Sequence, residues 1–377
     1  MSYKQTGSLI AMVINKKHTV VLDVMGADSG QERIIQGGID AARRLGDSLQ
    51  LIFVGRKDMI ETNLSQIHNL PSNISVQHAN REVPMHMSAT DGVRMRDSSI
   101  AIGLKMIKNR QAGAFVSPGN TGAVMATSLF TLGRIEGVDR PAIAAVFPTS
   151  TGRPTVVLDA GANSDCKPYH LSQFAVMGSV YSSVIFNLDS PRVGLISIGE
   201  ERSKGNELIF CARKLLESSS INFVGNVEGR DILSGTIDVV VTDGFTGNIL
   251  LKFAESIKPM LVNSMRRQVQ TNIFSRLGAA LLLPFLKRMK NRFDYAEAGG
   301  APLLGVKGAV IICHGSSNSR AIYNAVVAAY EMVSNQVEER IHDELITNHF
   351  GHKSESRNKS QNNWDRVIRA AAPNDQR

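Results

Sequence analysis

Five times in this sequence a short β-branched run stops at a small polar loop and gives way to residues at helical spacing. The segments are 114–126 (AFVSPGNTGAVMA), 155–168 (TVVLDAGANSDCKP), 193–208 (VGLISIGEERSKGNEL), 238–252 (DVVVTDGFTGNILLK) and 309–322 (AVIICHGSSNSRAI). A continuous Val/Ile run reads as a parallel strand buried on both faces. Strands alternating with helices at this interval predict an α/β fold, a mostly parallel sheet in an α/β/α sandwich. In such a sheet the loops gather at the carboxyl ends of the strands, where ligands bind. Each loop also opens a helix, so unpaired N–H groups lie at the positive end of the helix dipole. Corners of this kind at one rim predict a ligand that carries phosphate.

The stretch 238–252 shows the design most clearly. Its strand breaks at Thr242-Asp243-Gly244 and a helix follows from about Thr246. Asn248 falls in the first helical turn and Lys252 one turn on, on the same face, where an amide and an ammonium can meet one anion. The alternative is that Asp243 or Thr246 merely caps the helix and Lys252 is solvated. The segment alone leaves both open.

The chain has 377 residues, enough for one large α/β domain or two smaller ones. The expected limits are a domain over 18–346, a disordered extension over 1–17, with Met12 a second candidate start, and a mostly disordered polar tail over 347–377. Three cysteines without CxxC spacing argue against a disulfide framework and fit a reducing cytoplasm. No segment has the layout of a signal peptide, and no apolar run approaches the ~20 residues that span a bilayer.

The net charge of +8 is local. Between Ser264 and Phe293 stand Arg266, Arg267, Arg276, Lys287, Arg288, Lys290 and Arg292, with no Asp or Glu. Aromatics are not interleaved with them, so no nucleic-acid partner is expected. The same region, 253–298, interrupts the strand–helix rhythm and predicts a projecting helical hairpin. Its segment IFSRLGAALLLPFLKRMK is apolar between basic flanks. It suits burial in a subunit interface, or an apolar tip dipping into an anionic membrane surface. In the second case Phe274, Leu277, Leu281 and Leu282 would enter the lipid, with Arg276 and Lys287 at the headgroups.

Several chemistries find no signature. There is no dinucleotide G-x-G-x-x-G after a strand, no G-x-x-x-x-G-K-[ST] and no G-x-S-x-G elbow. Cys313-His314 are chain neighbours that rarely face each other, and Cys166 reads as a small buried residue. Asp23 and Asp159 end strands but lack a tight carboxylate cluster around them. No metal and no cofactor is expected.

The segments LDVMGAD, SPGNTGAVMA, GVDRPAIA, LDAGANSDCKP with QFAVMGS, GEERSKGNEL, GNVEGRDI, DVVVTDGFTGNILLK and GGAPLLGVKGAVIICHGSSNSRAI run in order from Thr19 to Glu331. Together they resemble the bacterial acyl-ACP:phosphate acyltransferases, the PlsX-type phospholipid synthesis enzymes. Pro118 and Ala27 depart from the family pattern, where Ala and Gly are expected. The resemblance implies a fold like that of the isocitrate/isopropylmalate dehydrogenases and phosphotransacetylases. It also implies transfer of a fatty acyl group from acyl carrier protein to inorganic phosphate. The acyl phosphate would pass to a membrane-embedded glycerol-3-phosphate acyltransferase. A homodimer bound peripherally to the inner face of the membrane is implied as well.

Such chemistry needs no catalytic triad, because phosphate is the nucleophile and a thiolate of pKa about 8.5 leaves readily. It needs orientation and donors for an oxyanion. Lys204 and Asn248 are expected to hold phosphate and the oxyanion. Asn120, Thr121, Gly122, Gly244, Thr246, Lys252, Ser316, Ser317 and Asn318 would complete the cradle, and Asp243 and His314 would orient groups or shuttle protons. The rival readings are a phosphotransacetylase-like enzyme using acyl-CoA and a non-catalytic membrane-docking scaffold.

Overall fold

The computed structural model describes residues 17–27, 30–269 and 299–350, with a few helical positions between 276 and 285. The chain first lays down β1 (His18–Asp23), α1 (Gln31–Leu45), β2 (Leu49–Gly55), α2 (Lys57–Ser65) and β3 (Ile74–His78). It continues with α3 (Ala89–Arg94), α4 (Ser99–Lys108), β4 (Ala114–Ser117), α5 (Thr121–Leu132) and β5 (Ala142–Ile143). Past Ala144 it enters a second sheet through β6 (Ala145–Phe147), β7 (Thr155–Leu158), α6 (Pro168–Phe186), β8 (Val193–Ile196) and α7 (Glu207–Glu217). There follow β9 (Phe223–Val227), α8 (Asp231–Ser234), β10 (Val239–Val241) and the long α9 (Gly244–Val269). Finally β11 (Ala301–Leu304) and β12 (Ala309–Ile312) rejoin the first sheet, and α10 (Ser319–Ser334) and α11 (Val337–Thr347) close the described chain.

The strand order is β3-β2-β1-β4-β12-β11-β5 in the seven-stranded sheet and β6-β7-β10-β8-β9 in the five-stranded one. Pairing is parallel except where β11 meets β12 and β5, and where β6 meets β7. The mostly parallel α/β expectation holds, but in two sheets. The apolar run 142–147 forms two strands, one in each sheet, with the Ala144 N–H given to Pro302 O at 2.9 Å. A two-residue strand is too short for periodicity to reveal which sheet it joins. The run at 239–241 is the middle strand of its sheet, as its Val-only composition suggests.

Successive residues of β1 alternate between two apolar clusters. Val20 and Leu22 face one, Val21 the other, and all are fully buried. Helices cover both faces closely. A Cβ on Gly37 of α1 would stand 2.4 Å from Ser319 O at the start of α10, and one on Gly103 of α4 would stand 2.3 Å from the Phe115 ring. Helix α6 is buried along most of its length and lies against the second sheet, Gly178 resting on Val239 and Leu158.

The two sheets are joined through β5 and the residues that follow β7. Strand β5 opposes β11, which opposes β12, so β5 points the same way as β12 and β4. Its last residue, Ile143, donates its N–H to Asp159 Oδ1 at 3.1 Å, and its carbonyl accepts from Ala160 N at 2.9 Å. The carboxyl end of β5 therefore meets the carboxyl end of β7. Residues 1–16 and 351–377 lie outside the described residues, as do Phe274, Leu277 and Lys287 of the expected hairpin tip. Among the described residues no helix is long and apolar enough to cross a membrane.

Candidate active site

Four of the five corners end in an Asn or Asp that caps the following helix. Asn120 accepts from Ala123 N at 2.9 Å, Asn206 from Ile209 N at 3.0 Å, Asp243 from Thr246 N at 2.8 Å and Asn318 from Ala321 N at 2.9 Å. Each cap takes one of the several N–H groups that a helix start leaves unpaired. The fifth corner, 159–163, is filled from within. The Asp159 carboxylate accepts from the backbone N–H groups of Gly161, Ala162 and Asn163 and from Asn163 Nδ2, at 2.7–3.1 Å, besides Ile143 N. Those donors are spent on a carboxylate of the protein itself. Asp159 is thus a structural junction and not a metal ligand, and its partner Ile143 lies 16 residues away in the chain.

The expected site residues differ in how far their polar groups are already engaged. Asn120 is buried and gives its amide to the carbonyls of Pro84, Met85 and Met87 at 2.9–3.1 Å, so it shapes the loop and has no donor left for a ligand. Thr246 Oγ1 donates to Asp243 Oδ2 at 2.9 Å, and both serve the start of α9. Lys252 Nζ is engaged by Glu255 at 2.9 Å on the open surface. For Asp243 and Lys252 the helix-capping alternative therefore describes the geometry, except that Lys252 is ion-paired. Gly244 is buried with its N–H on Asn163 O at 2.8 Å, and a Cβ there would lie 2.6 Å from Asp159 Oδ2.

In the first sheet Thr121 is exposed at the start of α5, and Gly122 packs on Ala89. His314 is exposed; its Nδ1 lies 2.8 Å from Ser316 Oγ and accepts from Ser316 N at 3.1 Å. Ser317 is buried, with its N–H on His314 O at 2.8 Å. The β4 and β12 loops are adjacent, since Cys313 N donates to Ser117 O at 2.8 Å.

Among the described residues the Lys204 ammonium and the Asn248 amide have no hydrogen-bond or ion-pair partner. Both are exposed. Lys204 folds its stem back over Gly199, where a Cβ would touch its Cγ at 2.9 Å, so it stands just past the end of β8. Asn248 packs on Gly161, where a Cβ would lie 3.4 Å from both its Cβ and its Oδ1. Gly161 has φ of 139°, a conformation that side-chain-bearing residues rarely adopt. Strands β8 and β10 are parallel neighbours, so Lys204 and Asn248 occupy adjacent corners of one rim.

Burial pushes Asp23 up to about 6, opposed by hydrogen bonds from Met25 N and from Ser117 Oγ at 2.8 Å. Burial, with the nearby Asp159 charge, pushes the Cys166 thiol up to about 12, and burial does the same to Cys313. Neither thiol is poised as a nucleophile. Among the described residues no group of three His, Cys, Asp or Glu side chains is arranged to hold a metal.

The fold is an α/β scaffold of two mostly parallel sheets. It is similar to a phosphotransacetylase from Streptococcus pyogenes, with a TM-score of 0.57 at 18% identity over 90% of this chain and 100% of that one. EutD phosphotransacetylase from Staphylococcus aureus gives a TM-score of 0.54 at 16% identity over 87% and 97%. At these identities the likeness speaks for the fold alone. In sequence, residues 18–340 match the model of the fatty acid synthesis protein family, and the chain belongs to that family. It is 45% identical to a phosphate acyltransferase from Syntrophotalea carbinolica over 87% of this chain and 94% of the relative. A phosphate acyltransferase from Synechocystis sp. is 46% identical over 85% and 92%.

Proposed function

We infer that this chain is a phosphate acyltransferase that moves a fatty acyl group from acyl carrier protein to inorganic phosphate. A phosphate oxygen attacks the thioester carbonyl, the C–S bond breaks, and the products are an acyl phosphate and a thiol that takes up a proton. The carrying observation is the pair Lys204 and Asn248. Both donors are unengaged at adjacent corners of one rim, in a chain 45% identical to a phosphate acyltransferase. The Lys204 ammonium fits the charge of phosphate, and the Asn248 amide fits the oxygen that becomes negative as the carbonyl is attacked. Thr121 and the helix starts that follow β4 and β12 supply further donors from the first sheet.

Family membership supports the carrier protein as donor and a glycerol-3-phosphate acyltransferase as consumer of the product. A second copy of the chain and a membrane surface are further partners in this reading. Phe245, Ile249 and Phe253 form an exposed row at four-residue spacing on α9, suited to cover by a second copy. Leu281 and Leu282 are exposed apolar residues near Arg276, suited to an anionic lipid surface.

The test is phosphate-dependent release of acyl phosphate by the purified chain, offered the same acyl group on carrier protein and on coenzyme A. Turnover with the carrier thioester is expected. Lys204→Ala and Asn248→Ala should each lower kcat by about 10²–10³-fold while remaining folded. Near-normal turnover in both would remove them from the site, and preference for the coenzyme A thioester would favour the phosphotransacetylase-like reading. Replacing both Leu281 and Leu282 by Glu should release the protein from anionic vesicles and spare activity in solution.

A further inference from the structure

Lys204 lies in an exposed loop, at the end of a tight turn that starts at Glu201. The turn that carries it is fixed from beneath by Asn226, a residue of β9 to which the sequence assigned no role. Asn226 is 8% exposed. Its Nδ2 donates to Glu201 O at 3.0 Å and to Lys204 O at 3.1 Å. The turn closes on itself through Lys204 N, which donates to the same Glu201 O at 3.0 Å. One side-chain amide thus ties both ends of the four-residue turn Glu201–Lys204.

The anchorage of Asn226 is itself rigid. It pairs in register with Leu195 of β8, and Ser197 N donates to Val227 O at 2.8 Å just beyond. Two further holds limit the loop. Arg213 donates to Arg202 O, and Gly205, with φ of 120°, presses so close that a Cβ there would lie 2.9 Å from Ile209 Cγ2 and 3.3 Å from Ser197 Oγ. The amide orientation follows from its surroundings, because two carbonyl oxygens demand a donor. No other side chain among those described bonds to the backbone of Lys204.

We propose that Asn226 is a positioning residue for Lys204: it fixes the turn from which the lysine reaches the phosphate at the rim of β8 and β10. This rests on the reading of Lys204 given above. Without the two bonds the turn keeps its own Lys204 N–Glu201 O bond and the holds at Arg202 and Gly205 but loses its tie to β9, and the ammonium samples positions away from the reacting atoms. A displacement of about 1 Å at a reacting group lowers rate by up to 10²-fold.

The experiment is a double-mutant cycle on the full chain, with acyl-phosphate release at saturating phosphate and thioester and the urea midpoint measured for each variant. Asn226→Ala should lower kcat by about 10- to 100-fold. The double variant Lys204→Ala/Asn226→Ala should turn over no more slowly than Lys204→Ala alone, because Asn226 then has nothing left to position. Asn226→Asp keeps the shape but faces two carbonyls with a carboxylate; it should be as slow as Asn226→Ala near pH 8 and recover as the pH falls and the carboxyl can donate again. If Asn226→Ala does not fold, Asn226→Ser, whose short single O–H cannot hold both carbonyls, enters the cycle with the same expectation. Additive losses in the double variant, or an unchanged kcat in Asn226→Ala, overturn the proposal and leave Lys204 untouched. Normal turnover in Lys204→Ala alone instead removes the reading on which the proposal rests.

Discussion

Ile143 N and Asp159 Oδ1 lie 3.1 Å apart, a hydrogen bond between the last residue of an edge strand in one sheet and the residue that follows β7 in the other. Asp159 also holds the corner against which Gly244 and Gly247 of α9 are pressed; a Cβ on Gly247 would stand 1.8 Å from Asp159 O. The start of α9, and with it Asn248, is thus set by a carboxylate buried between the sheets. Asp159→Ala strands all the donors that now converge on it. Hydrogen bonds to a buried charged group contribute about 1.5–3 kcal/mol each, so a loss of at least ~3 kcal/mol is expected in urea denaturation. A loss under about 1 kcal/mol would mean that the junction does not hold the sheets together.

Gly199 tests the placement of Lys204 without touching its chemistry. A Cβ there would meet Lys204 Cγ at 2.9 Å and Glu201 Oε2 at 2.6 Å, both atoms of movable side chains. Gly199→Ala should therefore fold with stability within about 1 kcal/mol of the parent. Its kcat should fall about 10-fold or more, because the lysine stem must leave its present course. Unchanged turnover would show that this course is irrelevant to catalysis.

Asp23 gives a pH dependence with a definite sign. Its folded value, raised by burial from 3.8 to about 6, means that the folded chain holds this proton more tightly than the unfolded one. Its contribution to stability is complete below about pH 4 and is lost as the pH rises to about 6, an effect of roughly 3 kcal/mol at ~1.4 kcal/mol per unit. Asp23→Asn should flatten that part of the curve of Tm against pH. An unaltered slope between pH 4 and 6 would mean that another group causes it.

Arg192 and Asp238 form a two-pronged pair, with Nε on Oδ2 at 2.9 Å and Nη2 on Oδ1 at 3.1 Å, at the amino end of β10. Burial pushes the Asp238 carboxyl up, but the hydrogen bonds and charge of Arg192 outweigh it and hold the group below its ordinary value. The stability it gives is present above the unfolded value and lost as the pH falls through the folded one. Arg192→Ala leaves a nearly buried carboxylate unpaired and should cost roughly 3 kcal/mol near neutral pH. The variant should also lose less stability on acidification than the parent, which denaturation at pH 7 and pH 4 can compare.

The fold class and the positions of the polar corners follow from local chemistry. Val-rich strands, Gly and Asn at corners and helical spacing after them are properties of a dozen residues at a time, and a dozen residues suffice to read them. Which donors stay available was decided by partners distant in the chain. The amide of Asn120 is consumed by carbonyls 33 to 36 residues away, and Asn226 reaches back 22 residues to the carbonyl of Lys204. The split into two sheets turned on Ala144, between strands too short to carry a pattern. A side chain's hydrogen-bonding capacity is fixed by its chemistry, but who takes it up is settled only when the chain is packed and buried polar groups must find partners.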